Sequence, residues 1–151
     1  MKKATSRGII VAGVLAALLT LTGCAASSAS AVKEHISSAQ GVQGVNVVVS
    51  HPGAPWNTTT LITLFIPDSS AQSMITALRS STAAIANDPV AKHDVVFYLV
   101  PGKPSDYPDL DSSDPELDIP KAVFDDLGVE YDPGTSIRVT PEDITRIAAE
   151  S

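Results

Sequence analysis

The chain has 151 residues, of which 44% are hydrophobic and 18% are charged, and its formal net charge is −7 at pH 7. This length suits one ordinary domain, and the hydrophobic content excludes a wholly disordered polyelectrolyte. The acidic balance argues against nucleic acid as a partner, because phosphate binding needs a basic face. The single cysteine excludes a disulfide framework and any site with several cysteine ligands.

The first residues have the pattern of an export signal. Lys2, Lys3 and Arg7 form a basic head, and the run from Ile9 to Leu21 is almost wholly apolar. A helix that crosses a bilayer needs about 20 apolar residues, so this shorter run suits a signal core that is removed after export.

The string Leu21-Thr22-Gly23-Cys24 follows directly and resembles the lipobox of bacterial lipoproteins. The resemblance covers residues 1–24 and implies cleavage before Cys24 and a diacylglyceryl group on its thiol. Two acyl chains give stable anchoring without a transmembrane helix, so membrane lipid is the expected partner and the outer face of the cell membrane the expected location. The alternative is an ordinary signal peptide followed by an unlipidated cysteine.

These features divide the chain into three parts. Residues 1–23 are the predicted signal peptide, 24–31 the lipidated cysteine with a flexible Ala/Ser tether, and 32–151 one extracytoplasmic domain. Without the signal peptide, 7 basic residues face 17 acidic ones. The basic residues are scattered singly along the domain.

The predicted elements begin with a helix over Val32–Gln40, ended by Gly41. Alternating valines from Val45 predict a strand, His51–Asn57 a loop, and Thr58–Ile66 the returning strand of a hairpin. The stretch Gly41–Val47 resembles the passage from helix to strand in small ferredoxin-like domains.

The second half of the domain has a different order of elements. A helix that runs to about Asn87 is predicted after Pro67, with Asp68 or Ser69 as its cap and Ser69 and Gln72 as a capping box. A buried strand over Val95–Val100 follows, so the strand–helix–strand unit predicts a parallel crossover. A long acidic, proline-rich loop then leads to the last three predicted elements, which are a helix over Lys121–Leu127, a strand over Thr135–Val139 and a helix capped by Thr140. The predicted fold class is α+β, a two-layer sandwich in which a small mixed sheet of about four strands carries helices on one face.

The loop over residues 101–120 is the first candidate site. Clustered carboxylates can hold a hard cation such as calcium, and the candidate ligands are Asp109, Asp111, Asp114 and Glu116. Their spacing lacks the order of an EF-hand loop. We therefore interpret the segment as a solvated acidic loop and predict neither a metal nor another cofactor.

The histidines are the candidates for catalysis. His35, His51 and His93 have no recognised metal-ligand spacing. His93-Asp94 precedes a strand, where the pair could orient a general base, but no partner nucleophile is identifiable. The sequence predicts no enzyme.

Aromatic residues and one neighbouring histidine remain as candidates for binding. Trp56 lies in a proline-rich loop beside His51, where an exposed indole could anchor a partner, but we expect it to fold back over one end of the sheet. Tyr98 is placed to stack on a sugar, as is Tyr107.

Taken together, the patterns favour a lipid-anchored binding or accessory domain at the cell envelope, with an envelope protein as a possible partner. The alternatives are a cation-binding module that uses the acidic loop and a small envelope hydrolase that uses His93 or His51.

Overall fold

In the described part of the chain, the helices and strands follow one another in the order α-β-β-α-β-α-β-α. A computed structural model describes residues 29–54, 56–108 and 116–151. Within these ranges the helices are α1 (Ala29–Ser37), α2 (Ala71–Ile85), α3 (Lys121–Leu127) and α4 (Pro141–Ala149). The strands are β1 (Gly44–Ser50), β2 (Thr59–Ile66), β3 (Val95–Pro101) and β4 (Ser136–Val139), and short 3-10 turns cover Pro89–Lys92 and Pro104–Asp106.

The described strands form one four-stranded sheet in the order β1-β2-β3-β4. β1 and β2 are an antiparallel hairpin, β2 and β3 are parallel with α2 between them in the chain, and β4 is antiparallel to β3. The mixed sheet confirms the predicted α+β class, and the parallel pair confirms the predicted crossover. The order of elements differs from the β-α-β-β-α-β order of ferredoxin-like domains. The resemblance to these domains is therefore limited to Gly41–Val47.

One face of the sheet carries the hydrophobic core. Because side chains alternate along a strand, Ile62 and Leu64 of β2 and Phe97 and Leu99 of β3 point to the same side and are fully buried. Each such side chain stabilises the fold by roughly 1.5–3 kcal/mol through its burial. Every described helix adds apolar residues to this same cluster, among them Val32, Ile36, Met74, Leu78, Val123, Phe124, Ile144 and Ile147. The helices therefore pack on one face, as the two-layer prediction requires.

Segment 101–107 covers one end of the opposite face. The Tyr107 ring lies 6.2 Å from the Phe65 ring, and its hydroxyl donates a hydrogen bond of 2.6 Å to the Pro101 carbonyl. Gly44 lies against Pro104, and a Cβ at this position would be 2.3 Å from Pro104 Cγ. Glycine is required here because the proline ring occupies the space of a side chain.

The ends of two helices differ from the prediction. The predicted capping box of Ser69 with Gln72 is wrong: Ser70 is the N-cap of α2, and its hydroxyl accepts the Ser73 N–H at 3.2 Å. Asp68 accepts the Ser70 N–H at 2.8 Å, and this local turn moves the helix start one residue along the chain. α1 begins at Ala29, so the last three residues assigned to the tether are helical.

Candidate functional site

Three chain segments meet at one end of the sheet. The β1–β2 loop leaves the sheet at Ser50 and returns at Thr59, next to the start of β3 at Val95. β4 leaves the sheet at Val139, which pairs with Val95. The directions of the strands thus bring the hairpin loop, the segment before β3 and the start of α4 together.

A cleft of about 530 Å³ opens at this end of the sheet. We call it the Trp56 cleft, and its lining residues are Pro52, Trp56, Asn57, Thr58, Thr59, Lys92, His93, Asp94, Arg138 and Pro141. The volume falls within the range of about 300–1,000 Å³ that is typical of small-molecule sites. Most of the lining side chains carry hydrogen-bonding groups, so the cleft suits a polar ligand.

The side chain of Trp56 is 83% exposed. The expectation that it folds back over the end of the sheet is therefore wrong. The reason is the geometry of the loop, since the Asn57 N–H donates to the Ala54 carbonyl at 3.0 Å and closes a turn beyond the last strand pair. The turn projects the indole into solvent at the rim of the cleft.

Hydrogen bonds order the loop that carries this tryptophan. The Asn57 side-chain amide donates to the Pro52 carbonyl at 3.1 Å, and His51 Nδ1 lies 3.2 Å from Thr58 Oγ1 across the base of the loop. Gly53 adopts a φ of +80°, a conformation that favours glycine. These hydrogen bonds join described residues on the two sides of the loop.

The opposite wall of the cleft carries the charged groups. Arg138 donates from Nη1 to Asp94 Oδ2 at 3.2 Å, and these side chains are 66% and 39% exposed. Lys92 is exposed and makes no ion pair with any residue in 29–54, 56–108 or 116–151. Two cationic groups therefore face one carboxylate, so the lining has a positive balance on an acidic protein.

The predicted binding residues are only partly brought together. Trp56 lines the cleft, and His51 contacts the cleft residue Thr58. Tyr98 lies on the sheet face opposite the core, where it pairs with Thr63 and Ser136, and it does not line the cleft.

The three histidines have different neighbours in the described part of the chain. His51 lies beside a threonine hydroxyl, and His35 Nδ1 lies 3.2 Å from a carboxylate oxygen of Asp88. His93 lines the Trp56 cleft. Among the residues that the structure describes, no histidine side chain makes a hydrogen bond or ion pair with both a hydroxyl and a carboxylate.

The candidate cation site lies largely outside the described residues. Asp109, Asp111 and Asp114 fall in 109–115, a segment that is not described. The lipidation candidate Cys24 falls in 1–28, which is also outside the described residues. Glu116 is described, and it accepts a hydrogen bond of 3.1 Å from the Thr135 hydroxyl. In the described ranges no group of three or more His, Cys, Asp or Glu side chains is arranged to hold a metal ion.

Sequence reasoning missed Lys92 and Arg138 as members of a site. They are 46 positions apart and appear as isolated charges in the sequence. The signal that could have found them is the pairing of strands: Lys92 precedes β3, and Arg138 pairs with Val96 of that strand.

Comparisons with known proteins give no match. No protein family model matches the chain, and neither a curated protein nor a solved structure does. In the described part of the chain, no helix has the length and apolar character to cross a membrane.

Proposed function

We propose that this protein is a lipid-anchored extracytoplasmic lipoprotein whose domain binds a component of the cell envelope through the Trp56 cleft. The observation that carries the binding role is Trp56, which is 83% exposed beside a concave polar surface. An exposed, pre-organised aromatic side chain is the kind of residue that contributes most to binding energy.

The anchoring rests on the sequence. The basic head, the short apolar run and Leu21-Thr22-Gly23-Cys24 together favour export, cleavage and acylation. A diacylglyceryl group on Cys24 would hold the domain at the outer face of the membrane, where envelope components are abundant.

The anchoring is tested by the replacement Cys24→Ser. We expect the full-length wild-type protein to incorporate a labelled fatty acid and to yield an N-terminal peptide whose mass includes diacylglycerol on Cys24. The variant has no thiol to acylate, so it should carry neither the label nor the added mass. Equal labelling of both proteins, or an unmodified cysteine in the wild type, would contradict the proposal.

The binding role is tested by the replacement Trp56→Ala. The replacement is made in the Cys24→Ser background, which has no acyl anchor to hold the protein in the membrane. Removing the indole should then lower the amount of protein that sediments with isolated envelope fragments by at least about tenfold. The matched control is Tyr131→Ala, since Tyr131 is a 44% exposed aromatic residue outside the cleft. If both variants sediment like the wild type, the cleft does not bind the envelope.

A further inference from the structure

We infer that the ligand of the Trp56 cleft is an acidic saccharide, a pyranose sugar that carries a carboxylate. This inference rests on the proposed function and names the ligand class for the same site. Three properties of the cleft lead to it: a flat apolar platform, walls of hydrogen-bonding groups, and a positive balance of charge.

The platform is the Trp56 indole. Its exposure leaves a broad, rigid aromatic face open to solvent at the rim of the cleft. A pyranose ring has one face of C–H groups that can lie flat on an indole, while its hydroxyls point outward to other partners. Next to the platform, the Asn57 N–H donates a hydrogen bond of 3.0 Å to the Ala54 carbonyl.

The walls beside the platform are polar. Asn57 has an amide side chain, Thr58 and Thr59 have hydroxyls, and His93 has a ring nitrogen on each side. An acyl chain or an apolar peptide side chain would remove these groups from water without replacing their hydrogen bonds, which is unfavourable. A polyhydroxylated ligand supplies those hydrogen bonds.

The charge of the lining favours an anion. Lys92 has no ion-pair partner in the described ranges, and Arg138 uses one nitrogen, Nη1, on Asp94. The remaining guanidinium nitrogens of Arg138 make no hydrogen bond with any described residue, so they are available to a carboxylate. Guanidinium and ammonium groups both make strong, charge-assisted hydrogen bonds to carboxylates.

The shape of the site favours a small ligand over a membrane surface. A concave space of about 530 Å³ fits one or two sugar rings, whereas a flat layer of headgroups would meet the rim and leave the wall groups unused. One bound saccharide can then contact the indole, the amide side chain and both cationic groups.

The single tryptophan of the chain reports the binding directly. The mature lipidated protein in detergent is titrated with digalacturonate and with digalactose, which share ring geometry and differ by the carboxylates. We expect both to shift Trp56 fluorescence, with the acidic sugar binding about tenfold more tightly at low salt and losing that advantage at high salt.

Two variants distinguish the contribution of the Lys92 ammonium from that of the Trp56 indole, and a third variant is the control. Lys92→Ala should remove most of the preference for the acidic sugar. Lys103→Ala removes an exposed lysine outside the cleft and should keep the wild-type preference. Trp56→Ala, followed by calorimetry, should abolish binding of both sugars.

Equal affinities for the two sugars would contradict the inference that the ligand is acidic. If neither sugar binds and vesicles of anionic phospholipid shift the Trp56 fluorescence, the ligand is not a saccharide and the cleft binds lipid headgroups. In both cases loss of envelope binding by Trp56→Ala in the unanchored Cys24→Ser background would leave the proposed function standing, whereas binding in that background that does not depend on Trp56 would remove it.

Discussion

At the scale of single residues, the carboxylate of Asp88 links two parts of the fold. Its side chain is 3% exposed, one oxygen accepts the Val90 N–H at 2.9 Å, and the other lies 3.2 Å from His35 Nδ1. Burial of a carboxylate is unfavourable unless its oxygens are hydrogen-bonded. Asp88 therefore ties α1 to the 3-10 turn that leads to Lys92 and His93 in the Trp56 cleft.

The replacement Asp88→Ala should lower the free energy of unfolding by about 1–3 kcal/mol, because the buried Val90 N–H loses its acceptor. Asp88→Asn is the matched control, since its amide oxygen keeps that acceptor and should reduce the loss. Urea unfolding of the full-length protein in detergent measures both. A loss for Asp88→Ala below about 0.5 kcal/mol would show that the cap contributes little.

At the scale of elements, the N-terminus of α4 is the best-defined helix start. The Thr140 hydroxyl accepts the Asp143 N–H at 3.2 Å, and Asp143 accepts the Thr140 N–H at 3.1 Å, which completes a capping box. Arg146 donates to Asp143 at 3.0 Å and to the Leu127 carbonyl at 2.8 Å. The cap of α4 is thereby joined to the C-terminal end of α3.

These contacts determine the pKa of Asp143. Partial burial acts to raise the pKa of Asp143, but hydrogen bonds from Thr140 and Arg146 outweigh it and hold the pKa below 3.8. Since the pKa is lower in the folded state, the carboxylate stabilises the fold fully above pH 3.8 and progressively less as the pH falls through the folded pKa.

The replacement Asp143→Asn should lower the free energy of unfolding at neutral pH by about 1 kcal/mol, because the cap and the ion pair both weaken. The difference from the wild type should shrink when urea unfolding is repeated at successively lower pH below 3.8, as the pH falls through the folded pKa and the wild-type carboxylate becomes protonated. Glu142→Gln, an exposed neighbour in the same helical turn, is the control. If the loss of unfolding free energy caused by Asp143→Asn does not depend on pH, the charge of Asp143 is not what stabilises the fold.

At the scale of the whole molecule, the sheet order places β2 and β3 at the centre. Each is paired on both sides, whereas β1 and β4 each have one partner strand among the described residues. β4 is four residues long, and the apolar residues of β2 and β3 lie deepest in the core. The middle of the sheet should therefore be the last part to open.

Hydrogen exchange of the full-length protein should show this order. The amides of Ile62–Leu64 and Phe97–Leu99 should exchange slowest, because they open only with global unfolding, and those of Ser136–Val139 should exchange sooner. Mass spectrometry of peptides from each strand measures the difference. If β4 is as protected as β3, the fold opens as one unit and the edge position of β4 has no effect on its stability.

Much of the fold follows from short-range patterns. The alternation in β1 and β2, the apolar run of β3 and the Thr140-Pro141 start of α4 predict elements that the structure confirms within a few residues. Gly128 ends α3 with a φ of +64°, a left-handed conformation that glycine adopts without strain. Such features depend on neighbours in sequence, so the residues themselves carry the information.

The candidate site depends on contacts between distant segments. Lys92 and Arg138 reach the same cleft because β3 and β4 are paired, and the sequence shows them as isolated charges. Trp56 extends into solvent because hydrogen bonds of the Ala54–Asn57 turn hold it beyond the sheet, although an apolar side chain alone suggests burial. Local patterns specify helices, strands and the export signal, whereas strand pairing and loop hydrogen bonds specify which side chains meet and which remain exposed.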